Sequence, residues 1–228
     1  RKAHESFIMN AIRVWDLPTR LFHWTLALLI LALVITGNVG GNAMVWHFRL
    51  GYVVFSLLLF RLIWGFIGGH WSRWSQLPLR PHQVGAYLRG RADTAYVAGH
   101  NPMGSWSVLA LLGMLALQVS TGLVSDDEIA NAGPLSSLVS SAWVSAATHW
   151  HKGWGKAILL GLVLLHLLAL IWYRWRKGQA LVPAMWHGDK TLPLAVTASR
   201  DTASSRLLAS FVFLLCSAVV AYVVNLTP

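Results

Sequence analysis

From Thr148 to Tyr173 the chain runs through a nearly unbroken apolar stretch, long enough to cross a bilayer as a helix, with histidines at both ends, His151 and His166. At about 1.5 Å and about 100° per residue, the two lie about 22 Å apart along the axis and about 60° apart around it, within a hydrocarbon core of about 30 Å. One helix thus offers two imidazoles at two membrane depths. Ionisable or metal-ligating side chains are costly at such depths, so a functional role is the expectation, and the rest of the chain must supply their partners.

Composition removes the soluble alternatives. Of 228 residues, 56% are hydrophobic and 11% charged, where a soluble domain carries about a quarter charged. The formal charge of +10 would point to nucleic acid in a soluble protein. Here the basic residues lie at the ends of apolar runs, where they set topology, and no basic face with interleaved aromatics remains, so nucleic acid is not an expected partner. Many of the thirteen tryptophans, among them Trp15, Trp24, Trp46, Trp71, Trp74, Trp106, Trp154, Trp172 and Trp175, lie near run ends as interfacial belts. The single Cys216 lies inside an apolar run, so there is no intrachain disulfide and no CxxCH attachment site, and any haem is held non-covalently.

Five spans follow in order. Arg1 to Ile8 reads as a polar tail, with Met9 an alternative start, and residues 1–13 precede the first span. Asp16-Leu17-Pro18 is a helix-start signal for the apolar run Leu21–Ile35, whose buried His23 argues for a retained anchor over a cleaved signal. The second span runs from about Trp46-His47 to Ile67 and contains Arg61. A polar segment with Arg73, Arg80, Arg89, Arg91 and Asp93 leads to Asn101-Pro102, an N-cap and first-turn proline that open the third span. That span ends at Thr121-Gly122, repeating the Thr36-Gly37 ending of the first. After Asp126-Asp127-Glu128 and the fourth span come a connection over 178–205 and a fifth span from Leu207 to Val224, within 206–228. With the N-terminus in the cytoplasm, fourteen of the eighteen lysines and arginines fall on cytoplasmic segments, the positive-inside pattern; an all-α, five-span protein with N-in, C-out topology is expected.

This topology sorts the histidines by depth. His23 and His166 lie toward the cytoplasmic side, His47 and His151 at the outer ends of their spans. Two neutral imidazoles facing each other across helices can hold both axial positions of a haem iron, leaving no open coordination site and favouring electron transfer. His149 competes with His151, but lies about 100° from His166 against about 60°. Gly51 and Gly161 offer either close approach to a macrocycle or ordinary small-residue packing. Arg61, at the level of the inner pair, suits a haem propionate or a quinone, or else snorkels. Arg20, His100 and Asn101 at the cytoplasmic interface and Lys156 near the outer one are further candidates for those contacts. Gln118 and Thr121 read as interhelical hydrogen-bond formers.

Together, Trp15-Asp16-Leu17-Pro18-Thr19-Arg20-Leu21-Phe22-His23-Trp24, His47-Phe48-Arg49-Leu50-Gly51, Gly99-His100-Asn101-Pro102-Met103-Gly104, Gln118, Thr121-Gly122 and the fourth-span histidines resemble the prokaryotic cytochrome b561 family, which includes b-type cytochrome subunits of nickel-iron hydrogenases. The resemblance covers about 14–177 and implies a four-helix di-haem b core with ligands on the first, second and fourth spans. It implies electron transfer between ubiquinone or menaquinone and an outer redox partner, a c-type cytochrome or a hydrogenase subunit, in the bacterial inner membrane. The fifth span lies outside that core. A stand-alone superoxide:quinone oxidoreductase, with Lys152, Lys156 and Arg49 attracting the anion, is the second reading; a non-redox anchor or transporter is the third.

Overall fold

The computed structural model describes residues 10–89, 98–192 and 196–226. Met9, Arg91 and Asp93 lie outside the described residues. Five helices are long and apolar enough to cross a membrane: Leu17–Val39, Gly41–Ile67, Pro102–Val124, Ser141–Arg176 and Ala203–Val224. Their composition leaves large apolar side chains facing outward, including Leu28 (68% exposed), Leu165 (63%) and Phe211 (64%). Such surfaces suit lipid rather than water.

In chain order the elements are β1 (Asn10–Arg13), α1 (Leu17–Val39), α2 (Met44–Ile67), the short α3 (Pro81–Leu88), α4 (Pro102–Val124) and α5 (Ser141–Trp150). A π-helical turn, His151–Gly155, joins α5 to α6 (Lys156–Arg176), followed by α7 (Leu181–His187), β2 (Asp189–Leu192) and α8 (Ala203–Val224). Two helix starts follow the sequence reading. Asp16 Oδ1 accepts from Thr19 N at 3.0 Å, and Asn101 Oδ1 from Gly104 N at 2.8 Å, so both are N-caps. The two Thr-Gly pairs, by contrast, do not end their helices: α1 continues to Val39 and α4 to Val124.

The chain forms two compact units. The first comprises the chain up to Arg20, Trp64–Trp106 and Leu170–Ala209. In it β1 pairs antiparallel with β2, Ile12 opposite Lys190, so the end of the expected polar tail and the middle of the expected connection form one ribbon. Ile12, Ala98 and Leu192 bury together, as do Val14, Trp15 and Ala184, and Trp71 packs on both clusters. Gly188, at φ +93°, ends α7 and accepts from Val14 N and Trp15 N; a Cβ there would lie 2.6 Å from Trp15 O, so glycine is required. The nearly buried carboxylate of Asp201 gathers Arg206 (2.8 Å), Arg13 (3.3 Å) and Arg20 (3.9 Å).

The second unit comprises Leu21–Ile63, Ser107–Ala169 and the chain from Ser210. Here the α8 side chains Val212, Cys216 and Val220 are buried, a stripe at helical spacing, and Phe213 meets Phe60 edge-on at 6.2 Å. The small residues Ser217 and Ala221 do not form the packed face: Ala221 is exposed and Ser217 Oγ donates to Phe213 O of its own helix.

Candidate functional site

Four of the expected residues converge in the second unit as two histidine pairs. On α2, His47 presents its ring to that of His151 in the π-turn, with centroids 6.0 Å apart and planes at 89°. His23 of α1 lies close enough to His166 of α6 for the two to interact electrostatically, and His23 Nδ1 is buried without a hydrogen-bond partner. The sequence reading groups the same histidines by depth.

The first pair is built twice from the same parts. His47 Nδ1–H donates to Leu33 O at 3.0 Å, with Thr36 Oγ1 at 3.4 Å. His151 Nδ1–H donates to Gln118 O at 2.8 Å, with Thr121 Oγ1 at 3.5 Å. Each threonine gives its own proton to the carbonyl four residues back, Ala32 or Leu117, at 2.8 Å, so its oxygen faces the imidazole as an acceptor. With acceptors alone around Nδ1, both rings are the Nδ1–H tautomer and keep a free lone pair on Nε2. The glycine after each threonine receives the ring: a Cβ would meet His47 Cε1 at 3.0 Å from Gly37 and His151 Cε1 at 2.8 Å from Gly122. The repeated Thr-Gly pair is therefore a histidine seat, not a helix terminator.

The π-turn also separates His151 from His149. It takes up one residue between His151 and His166, so their offset becomes about 40° in the opposite sense and that of His149 about 160°. His151 accordingly lines the cavity of about 530 Å³ with His47, whereas His149 lines an adjoining open depression with Glu128, and Asp126 and Asp127 border both. In that loop Asp127 accepts from Asn131 Nδ2 and from the backbone N–H of Asn131, Ala130 and Ile129, which hold its carboxyl well below the usual carboxylate range. Asp126 Oδ1 accepts from Glu128 N. Two of the three acids thus order the loop itself.

A metal between His47 and His151 fits the distances. With about 2 Å from metal to each nitrogen and about 1 Å from nitrogen to ring centre, two axial imidazoles stand about 6 Å apart. Among the described residues no group of three or more His, Cys, Asp or Glu side chains could hold a metal by itself. The remaining ligands would come from a macrocycle, as in haem. The cavity falls within the range of about 300–1,000 Å³ for cofactor sites. Gly51 lines it with open space where a Cβ would stand, and Lys156, whose Nζ donates to Asn38 Oδ1 at 3.3 Å, supplies a cation at its edge. Gly161 also borders open space but does not line this cavity.

The other candidates divide between the units. Arg61 is in the second and only 5% exposed within an apolar span. Arg20, His100 and Asn101 belong to the first unit. There Arg20 Nη1 donates to Trp186 O at 2.7 Å beside Asp201, His100 packs on Trp15 at 4.7 Å, and Asn101 is the cap of α4. Sequence reasoning missed Asp16 as more than a cap: wholly buried, it also accepts from Trp64 Nε1 (3.0 Å), Gly69 N (2.8 Å) and Ser72 Oγ (3.3 Å). It missed Leu33 altogether, because only the backbone carbonyl acts.

The chain is similar to known proteins. The family model described as "Prokaryotic cytochrome b561" matches residues 14–188. A probable Ni/Fe-hydrogenase B-type cytochrome subunit of Azotobacter vinelandii is 30% identical over 49% of this chain and 57% of its own length, so the match spans little more than half of that relative. Proteins of the same description from Rhizobium leguminosarum bv. viciae and Bradyrhizobium diazoefficiens are 24% and 23% identical, over 79% and 78% of this chain and 89% and 85% of their own. The chain belongs to the prokaryotic cytochrome b561 family, and is a multi-pass membrane protein.

Proposed function

We propose that the chain carries electrons across the bacterial inner membrane through two b haems, one held by His47 and His151 and the other by His23 and His166. The observation that carries this reading is the His47–His151 pair, 6.0 Å apart with both Nδ1 atoms committed to backbone carbonyls. A haem iron bound there supplies one-electron redox chemistry. The protein's part is to hold two neutral imidazoles with Nε2 free, to raise their basicity through the Nδ1–H donation, and to keep water out with apolar walls. Lys156 serves a propionate at this end. Arg61 serves a propionate or the quinone at the other.

The separation of about 22 Å between His151 and His166 lets two haems relay electrons over most of a core of about 30 Å. The positive-inside count supports a cytoplasmic N-terminus, with the His23/His166 pair toward it and the His47/His151 pair outside. The relatives' name as hydrogenase cytochrome subunits supports a hydrogenase-type partner at the outer face over a c-type cytochrome, with ubiquinone or menaquinone as the other reactant. Reduced-minus-oxidised spectra with pyridine-haem quantitation on the purified chain test the reading. Two b haems per chain are expected, with one distinct haem lost in each of H47A and H166A. A chain with one haem that is indifferent to H47A would overturn it.

A further inference from the structure

The two seats of the His47/His151 pair match residue for residue except at one position. Leu33, Thr36 and Gly37 of α1 stand against His47 as Gln118, Thr121 and Gly122 of α4 stand against His151. Leu33 offers only its carbonyl. Gln118 offers its carbonyl to His151 Nδ1 at 2.8 Å and, in addition, donates from Nε2 to the backbone carbonyl of His151 at 2.7 Å. One residue therefore grips the same histidine by ring and by main chain.

This double grip falls where the helix departs from regular geometry. His151 begins the π-turn that ends at Gly155, and single π-turns open the hydrogen-bond ladder by one residue. His47 sits on the regular α2 and has no such turn to hold. Gly155 closes the arrangement: a Cβ there would collide with the Gln118 side-chain oxygen and lie 2.7 Å from Trp150 Nε1, so the glutamine occupies the space that the glycine leaves.

We propose that Gln118 is the positioning residue of the His47/His151 site, holding the π-turn and the His151 ring so that the two imidazole planes stand perpendicular. The proposal rests on the reading that these histidines are axial ligands. It adds that the angle between the ligand planes is set by the α4 seat, with Gln118 as the part that the α1 seat lacks. Perpendicular axial imidazoles give a low-spin ferric haem a highly anisotropic electron paramagnetic resonance signal, whereas near-parallel planes give a rhombic one. The ligand-plane angle is thus readable without turnover.

The test uses the full chain purified with haem, and compares wild type with Q118M, which keeps the backbone carbonyl and side-chain length and removes the donor. The signal belonging to this site is identified as the one missing in H151A. In Q118M it is expected to move from the highly anisotropic toward the rhombic form, with its midpoint potential shifted, haem content retained and the other haem's signal unchanged. An unchanged line shape and potential would overturn the proposal. If H151A keeps both haems, the ligand reading itself fails; if H151A loses one and Q118M is spectroscopically wild type, only the role of Gln118 fails. Should Q118M not accumulate, G122A reads the same angle, because its methyl would stand 2.8 Å from His151 Cε1. Loss of the anisotropic form there supports the α4 seat, and an unaltered signal overturns it.

Discussion

At the scale of single residues, a strong constraint in the first unit is the buried carboxylate of Asp16, which the sequence marks only as a helix start. Asp16 satisfies four donors from α1, α2 and the segment after it. D16A leaves Trp64 Nε1 and Gly69 N without their acceptor, and a loss of about 2–5 kcal/mol in stability is expected. The thermal midpoint of the detergent-solubilised protein measures it. Lys190 gives a pH dependence. Burial lowers its pKa from 10.5 to about 8, while Nζ donates to Ala98 O at 2.8 Å. Below about 8 the amine is charged in folded and unfolded chains alike, and its burial counts against the fold. Between about 8 and 10.5 the unfolded chain binds more protons, so stability rises with pH across that window. The rise should vanish in K190M when unfolding midpoints are followed from pH 7 to 11.

At the scale of elements, the π-turn decides more than any regular helix does. Two of its five residues, Gly153 and Gly155, are alike in the sequence, yet their surroundings differ. A Cβ on Gly153 meets nothing within 4 Å, whereas one on Gly155 meets Gln118 and Trp150. G153A is therefore expected to keep stability within about 0.5 kcal/mol and G155A to lose about 1–3 kcal/mol by overpacking. Haem content and thermal midpoint of the two variants, measured side by side, check the contrast; equal behaviour would mean that the turn is not packed as described. The Thr-Gly pairs carry the same lesson. A glycine close to a helix end reads as a stop signal, but Gly37 and Gly122 stay helical because the space above them is filled by an imidazole edge.

At the scale of the whole molecule, charge supports the proposed orientation. Fourteen of eighteen lysines and arginines fall on one side of the five spans. A periplasmic reporter such as alkaline phosphatase should be inactive when fused after Lys177 and active when fused after Asn225; the reverse pattern would invert the proposed direction of the relay. The spans and the helix starts at Asp16 and Asn101 are legible in the sequence, which also predicts the pairing of His47 with His151 and of His23 with His166. Each depends on local composition or on depth along a helix, and both are written in the order of residues. Only the tertiary structure decided what holds them. The acceptors of the two Nδ1 protons are backbone carbonyls 14 and 33 residues away, and a carbonyl has no residue-type signature. The arginines around Asp201 come from as far as 188 residues along the chain, and the packed face of α8 is Val212, Cys216 and Val220 because Phe60 and its neighbours lie there. Periodicity reveals which faces are apolar; in a membrane, where lipid and protein are equally apolar, it does not reveal which of them meets another helix.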